Sequence, residues 1–233
     1  MLQIVFLTVV AVAVFLPVVA LAAQQLLYPK VALLQVLTYP VVTVLGQGFS
    51  YLLILAFMVS IVKRVPGQDF WRAIRWNWPS NWSAYLLAGV ALSFALQGIA
   101  RLIPMPKELP MDRFFRTPSE AWALTLFGVT FAPLLEELFF RGFLYPVLVR
   151  RFGVALGVLA TATGFSLIHA PQLGRAWGPV LVIFMVGLAL TLTRAVTKSV
   201  AAGVLMHMAY NGTLSILLFV GTDGFRHLER LNQ

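Results

Sequence analysis

The chain has 233 residues, 60% of them hydrophobic and only 11% charged, with a mean hydropathy of +0.89, against roughly 25% charged in an ordinary soluble domain. That balance excludes a soluble globular domain and reads as a membrane protein. The absence of cysteine excludes disulfides, thiolate nucleophiles and Cys-ligated metal sites.

A net charge of +9 arises from 17 Lys and Arg against 8 acids. The bases sit singly or in pairs in short loops, without the stripe that grips phosphates, so the expected partner is membrane lipid and no nucleic acid.

Runs free of Lys, Arg, Asp and Glu cover residues 2–29, 31–62, 77–100, 152–174, 176–193 and 199–222, and about 20 apolar residues suffice to cross a bilayer. With the stretch around Glu136 they predict about seven spans. The fold class is therefore all-α, a polytopic transmembrane helical bundle, because an open sheet would leave backbone polar groups unpaired in lipid. No repeat or low-complexity linker divides the chain, so residues 1–233 are expected to form a single membrane domain.

The N-terminal stretch MLQIVFLTVVAVAVFLPVVALAA ends like a signal peptide in small residues, but it lacks a basic n-region and its apolar part is long. It is read as a retained first span. Residues 31–62 would make about 48 Å of helix, too long for one straight crossing, and Pro40, Gly46 and Gly48 predict a break before the second span. The following QDFWRAIRWNWPSNW holds four of the six tryptophans beside Arg72 and Arg75, as an element lying in the head-group interface would.

Further on, RTPSEAW predicts Thr117 as the cap of a helix that starts at Pro118. From Ala121 to the pair Arg150-Arg151, this helix has Glu136 and Glu137 near its middle, roughly 22 Å from either end. They lie at membrane depth. A charge there costs on the order of 3 kcal/mol on insertion scales, so Glu136, Glu137 and Arg141 need partners or water. At 100° per residue Glu137 and Arg141 share a face as an i, i+4 pair and predict a salt bridge, while Glu136 is turned away toward a polar cavity and other spans.

Other spans supply His169, in FSLIHA, and His207 with Asn211, in HMAYNG, the last two on one helical face. Counting helical rise puts them within about 10 Å of the depth of Glu136. A Glu, two His and an Asn from three helices can converge on a water-filled intramembrane active-site cavity.

Glu-Glu-x-x-x-Arg at 136–141, Phe-x-x-x-His at 165–169 and His-x-x-x-Asn at 207–211, in that order on successive spans, resemble the three signature motifs of the CAAX-processing and bacteriocin-processing (CPBP, or Abi) intramembrane proteases, which include the type II CAAX prenyl endopeptidases. The resemblance covers roughly residues 118–215. It implies a multi-spanning endopeptidase in the cell membrane if the source is prokaryotic. Prenyl-processing members of that family remove the last three residues of a prenylated C-terminal tetrapeptide, so the implied partner is a peptide or prenylated-protein substrate.

The residues by themselves allow compatible chemistry. Glu136 is the expected general base, taking a proton from water. His169 would orient that water, and His207 and Asn211, one turn apart, can offer two N–H groups to a tetrahedral oxyanion. Glu137 and Arg141 would hold the helix, and Phe165 would be a packing wall.

The family is often labelled metalloprotease, and one Glu with two His is the ligand set of many zinc sites, so zinc on Glu136, His169 and His207 is the alternative to a cofactor-free site. The His-Glu-x-x-His helix motif is absent, however. Buried Glu and His also build proton relays in transporters, against which the sequence shows no inverted repeat. A non-enzymatic immunity protein is the third reading.

Overall fold

The computed structural model describes residues 17–19, 21–36 and 39–229. Among them every regular element is helical. Five helices are long and apolar enough to cross a membrane, Pro40–Val62, Trp82–Ala100, Pro118–His169, Trp177–Thr197 and Val200–Gly221. The chain is an integral, multi-pass membrane protein.

The count of about seven expected spans differs from these five for two reasons. The first expected span, with the signal-peptide question attached to it, lies mostly outside the described residues. The fourth and fifth are the two arms of the 52-residue stretch Pro118–His169, which counts here as one. That stretch is not straight. At Gly153 the backbone takes φ 81° and ψ 171°, a region open to glycine and costly for other residues. A Cβ on Gly157 would stand 3.0 Å from the Val149 nitrogen, so the chain folds back on itself there.

We label the helices α1 (Pro40–Val62), α2 (Trp82–Ala100), α3 (Pro118–Leu126), α4 (Ala132–Glu137), α5 (Tyr145–His169), α6 (Trp177–Thr197) and α7 (Val200–Gly221). Pro40 opens α1 at its first turn, whereas Gly46 and Gly48 lie inside it. A glycine costs a helix interior only about 1 kcal/mol, whereas a proline also removes a hydrogen bond and clashes with the preceding turn. Thr117 caps α3 as the sequence predicts, its hydroxyl accepting from the Glu120 N–H at 3.3 Å with Pro118 at the first position.

Between α3 and α5 the helix widens twice into π-helical turns, at Phe127–Phe131 and Leu138–Leu144. Each stretch ends two residues before a proline, Pro133 or Pro146. A proline ring crowds the carbonyl four residues back and gives it no N–H, and a wider turn relieves that conflict. Carbonyls in both stretches accept from side chains of other helices. Asn211 Nδ2 donates to Gly128 O at 2.7 Å, and Arg194 Nε to Arg141 O at 3.1 Å.

The tryptophan-rich segment does more than face an interface. Trp71, Trp78 and Trp82 are exposed, but Val200 N donates to Arg75 O at 3.1 Å and the Ser199 hydroxyl donates to Asn77 O. The segment thus fastens the start of α7, where Ser199 also accepts from Ala202 N at 3.1 Å as the helix cap. α7 packs most extensively on α2, and α5 on α6. One apolar cluster, around Met58, Leu135, Leu138 and Val204, joins α1, α4 and α7, and another, around Phe140, Phe165, Leu190 and Tyr210, joins α5, α6 and α7. The charged residues of α4 lie between the two.

Candidate active site

Glu136, at the end of α4, lines a pocket of about 350 Å³. Phe165, His169, His207 and Asn211 line the same pocket. The sequence-predicted candidates on α4, α5 and α7 are therefore brought together around one space, while Glu137 and Arg141 stand behind it.

Arg141 is fully buried, as is Glu137. Its Nη1 donates to Glu137 Oε1 at 2.7 Å, Nη2 to Gly187 O at 2.9 Å and Nε to Thr191 Oγ1 at 3.2 Å. The guanidinium also lies 4.6 Å from the centre of the Phe165 ring, close enough for a cation–π contact. The predicted ion pair is present, and two α6 groups that the sequence did not single out complete it. Three partners and an aromatic face are what a buried guanidinium needs to remain charged.

His207 sits between the two glutamates. Its Nδ1 donates to Glu137 Oε1 at 3.1 Å, because a carboxylate oxygen can only accept, and Nε2 stands 3.9 Å from Glu136 Oε2. The ring meets Phe165 edge to face at 5.7 Å. His169 Nδ1 likewise donates to its own-helix carbonyl, Phe165 O, at 2.7 Å. In the neutral ring that leaves Nε2 as a hydrogen-bond acceptor. Phe165 is the expected packing wall, 4.7 Å from the His169 ring and 5.2 Å from Phe140.

Asn211 and His207 share a face of α7, but they do not present a bare pair of donors. Asn211 has one amide N–H on Gly128 O, which leaves its second N–H available, since the amide carries two. Glu137 Oε2 has no hydrogen-bond partner among the described residues and faces Gly203, where a Cβ would come within 2.7 Å of it. α7 can approach so closely only because residue 203 is glycine. Gly203→Ala is expected to displace the Glu137 carboxylate from Arg141 and His207, costing about 1–3 kcal/mol of stability, the usual range for overpacking. Thermal unfolding of the purified variant measures this. A wild-type midpoint would mean that the carboxylate turns aside freely.

Among the described residues, no three side chains of His, Asp or Glu gather closely enough to hold one metal ion. Glu136, His169 and His207 nevertheless line the same pocket.

Sequence reasoning missed Gln47 and Tyr51 on α1. Tyr51 donates to Glu136 Oε1 at 2.5 Å, and Gln47 Nε2 donates to the Tyr51 oxygen at 2.8 Å. Their signal was present, as two hydrogen-bonding side chains at i, i+4 in a span without charges.

No curated protein and no solved structure was found to match the chain. All three motifs lie within one matched segment, for residues 118–213 are similar to the family model described as type II CAAX prenyl endopeptidase Rce1-like, a likeness that points to a protease.

Proposed function

We propose that the protein is an intramembrane endopeptidase of CAAX type, hydrolysing a peptide bond near the C-terminus of a prenylated or related substrate. The observation that carries this reading is the convergence of Glu136, His169, His207 and Asn211 on one pocket whose remaining wall is largely apolar, with Phe114, Phe115, Leu124, Phe127, Leu214 and Leu218. A lipidated peptide needs a polar centre for the scissile bond and an apolar surface for its chain.

In this reading Glu136 takes a proton from water, with His169 Nε2 accepting the water's other hydrogen. The hydroxide adds to the peptide carbonyl carbon. The resulting oxyanion receives hydrogen bonds from the second N–H of Asn211 and from His207 Nε2–H. Because Nδ1 already donates to Glu137 Oε1 at 3.1 Å, this role requires that both ring nitrogens of His207 carry a proton. Glu136 then returns its proton to the amine nitrogen as the C–N bond breaks. Arg141 acts at one remove, by holding Glu137.

The test is on α7. Removal of one oxyanion donor typically costs about 10²–10³ in the chemical step, so His207→Ala and Asn211→Ala should each lower kcat by that order with KM little changed. Because the two donors serve one oxygen, the double variant should lose less than the sum. If Asn211→Ala instead raises KM at unchanged kcat, the residue is a substrate contact and the oxyanion assignment is wrong.

A further inference from the structure

The two oxygens of Glu136 have different surroundings. Oε1 accepts from the Tyr51 hydroxyl at 2.5 Å, whereas Oε2 stands toward His207 Nε2 at 3.9 Å. Tyr51 is itself constrained. Gln47 donates to its oxygen at 2.8 Å, which leaves the single phenolic proton directed at the carboxylate. The Tyr51 ring lies nearly parallel to Phe127, with centroids 6.2 Å apart and planes 7° from each other, so it rests on the first π-helical stretch. Both residues belong to α1, outside residues 118–213 that match the family model.

We propose that Tyr51 is a positioning residue for the base. By occupying Oε1 it fixes the plane of the Glu136 carboxylate and leaves Oε2 as the atom that takes the proton of water, and Gln47 sets the direction of the hydroxyl. The terminal torsion of a glutamate is otherwise broad, and a general base works only within hydrogen-bond reach of its proton. The inference rests on the protease reading above, and it adds to the motif residues a contribution from a helix that carries no motif.

Tyr51→Phe tests it, because the variant keeps the ring and its place on Phe127 and removes only the hydroxyl. One arm needs no substrate. The infrared carboxylate band that disappears in Glu136→Gln is located in wild type and in Tyr51→Phe, both purified in detergent. The second arm follows cleavage of a farnesylated peptide ending in a CAAX tetrapeptide. We expect the Glu136 band to shift and kcat to fall by on the order of tenfold to a hundredfold, a part of what a general base contributes. KM and the thermal midpoint should stay near wild type, a split that a merely structural residue would not give. Gln47→Leu, which frees the hydroxyl to turn, should show a smaller fall. A band at its wild-type position overturns the proposal, and so does unchanged kcat in Tyr51→Phe while Glu136→Gln is inactive. An active Glu136→Gln would remove the base itself, which tells the failure of the underlying reading apart from the failure of this one.

Discussion

Replacing Glu136 with glutamine is expected to remove peptidase activity, a loss of at least the 10²–10⁴ that a general base contributes, with the fold intact. The amide keeps the shape of the side chain, and its oxygen can still accept from the Tyr51 hydroxyl that now meets Oε1 at 2.5 Å. What it loses is the basic carboxylate oxygen that takes up a proton. Cleavage by the purified variant, followed beside its thermal unfolding, separates the two effects. Wild-type turnover in a folded Glu136→Gln would take Glu136 out of the mechanism.

Arg141→Ala should have the largest effect on stability. The substitution strands Glu137 as a fully buried carboxylate, deprives Gly187 O and Thr191 Oγ1 of a donor, and leaves a gap against the Phe165 ring. Breaking one side of a buried pair costs about 3–5 kcal/mol. Glu137→Gln should cost less, since Arg141 keeps its contacts to Gly187 and Thr191 and the amide oxygen can still accept. The pair Glu137→Gln with Arg141→Met should recover part of the loss, because no unpaired charge then remains. Thermal unfolding in detergent measures all three, and an Arg141→Ala protein as stable as wild type would mean that Glu137 does not depend on the ion pair.

Much of this was legible in the sequence, for reasons tied to particular residues. Charges at the centre of an apolar helix must be compensated, so Glu137 and Arg141 at i, i+4 announced their own ion pair, and Thr117-Pro118 announced the start of the helix that bears them. The His169, His207 and Asn211 candidates were visible as polar residues in spans that otherwise hold few.

Other features needed three dimensions. An ideal 100° wheel cannot represent the π-helical stretches at Phe127–Phe131 and Leu138–Leu144, although Pro133 and Pro146 were their local cause. The first of them presents the Gly128 carbonyl to Asn211, so the side chain expected as a bare donor is already engaged by one hydrogen. Gln47 and Tyr51 went unread because their partner is far away in sequence, and the need for glycine at position 203 depends on a contact between α4 and α7 that no local pattern encodes. The division between the fourth and fifth expected spans falls at Gly153, whose non-helical backbone no hydropathy pattern announces.

In the proposed mechanism a carboxylate-based site within the membrane cleaves the C-terminal end of a lipidated peptide. Its most direct test is mass spectrometry of farnesylated and unfarnesylated CAAX peptides incubated with the purified protein after exhaustive chelation, with no ion gradient, and with Glu136→Gln alongside. The farnesylated peptide should give a product shortened by its last three residues, undiminished by chelation and absent with the variant. No cleavage of any peptide, or cleavage that is lost on chelation and restored by zinc, would contradict it.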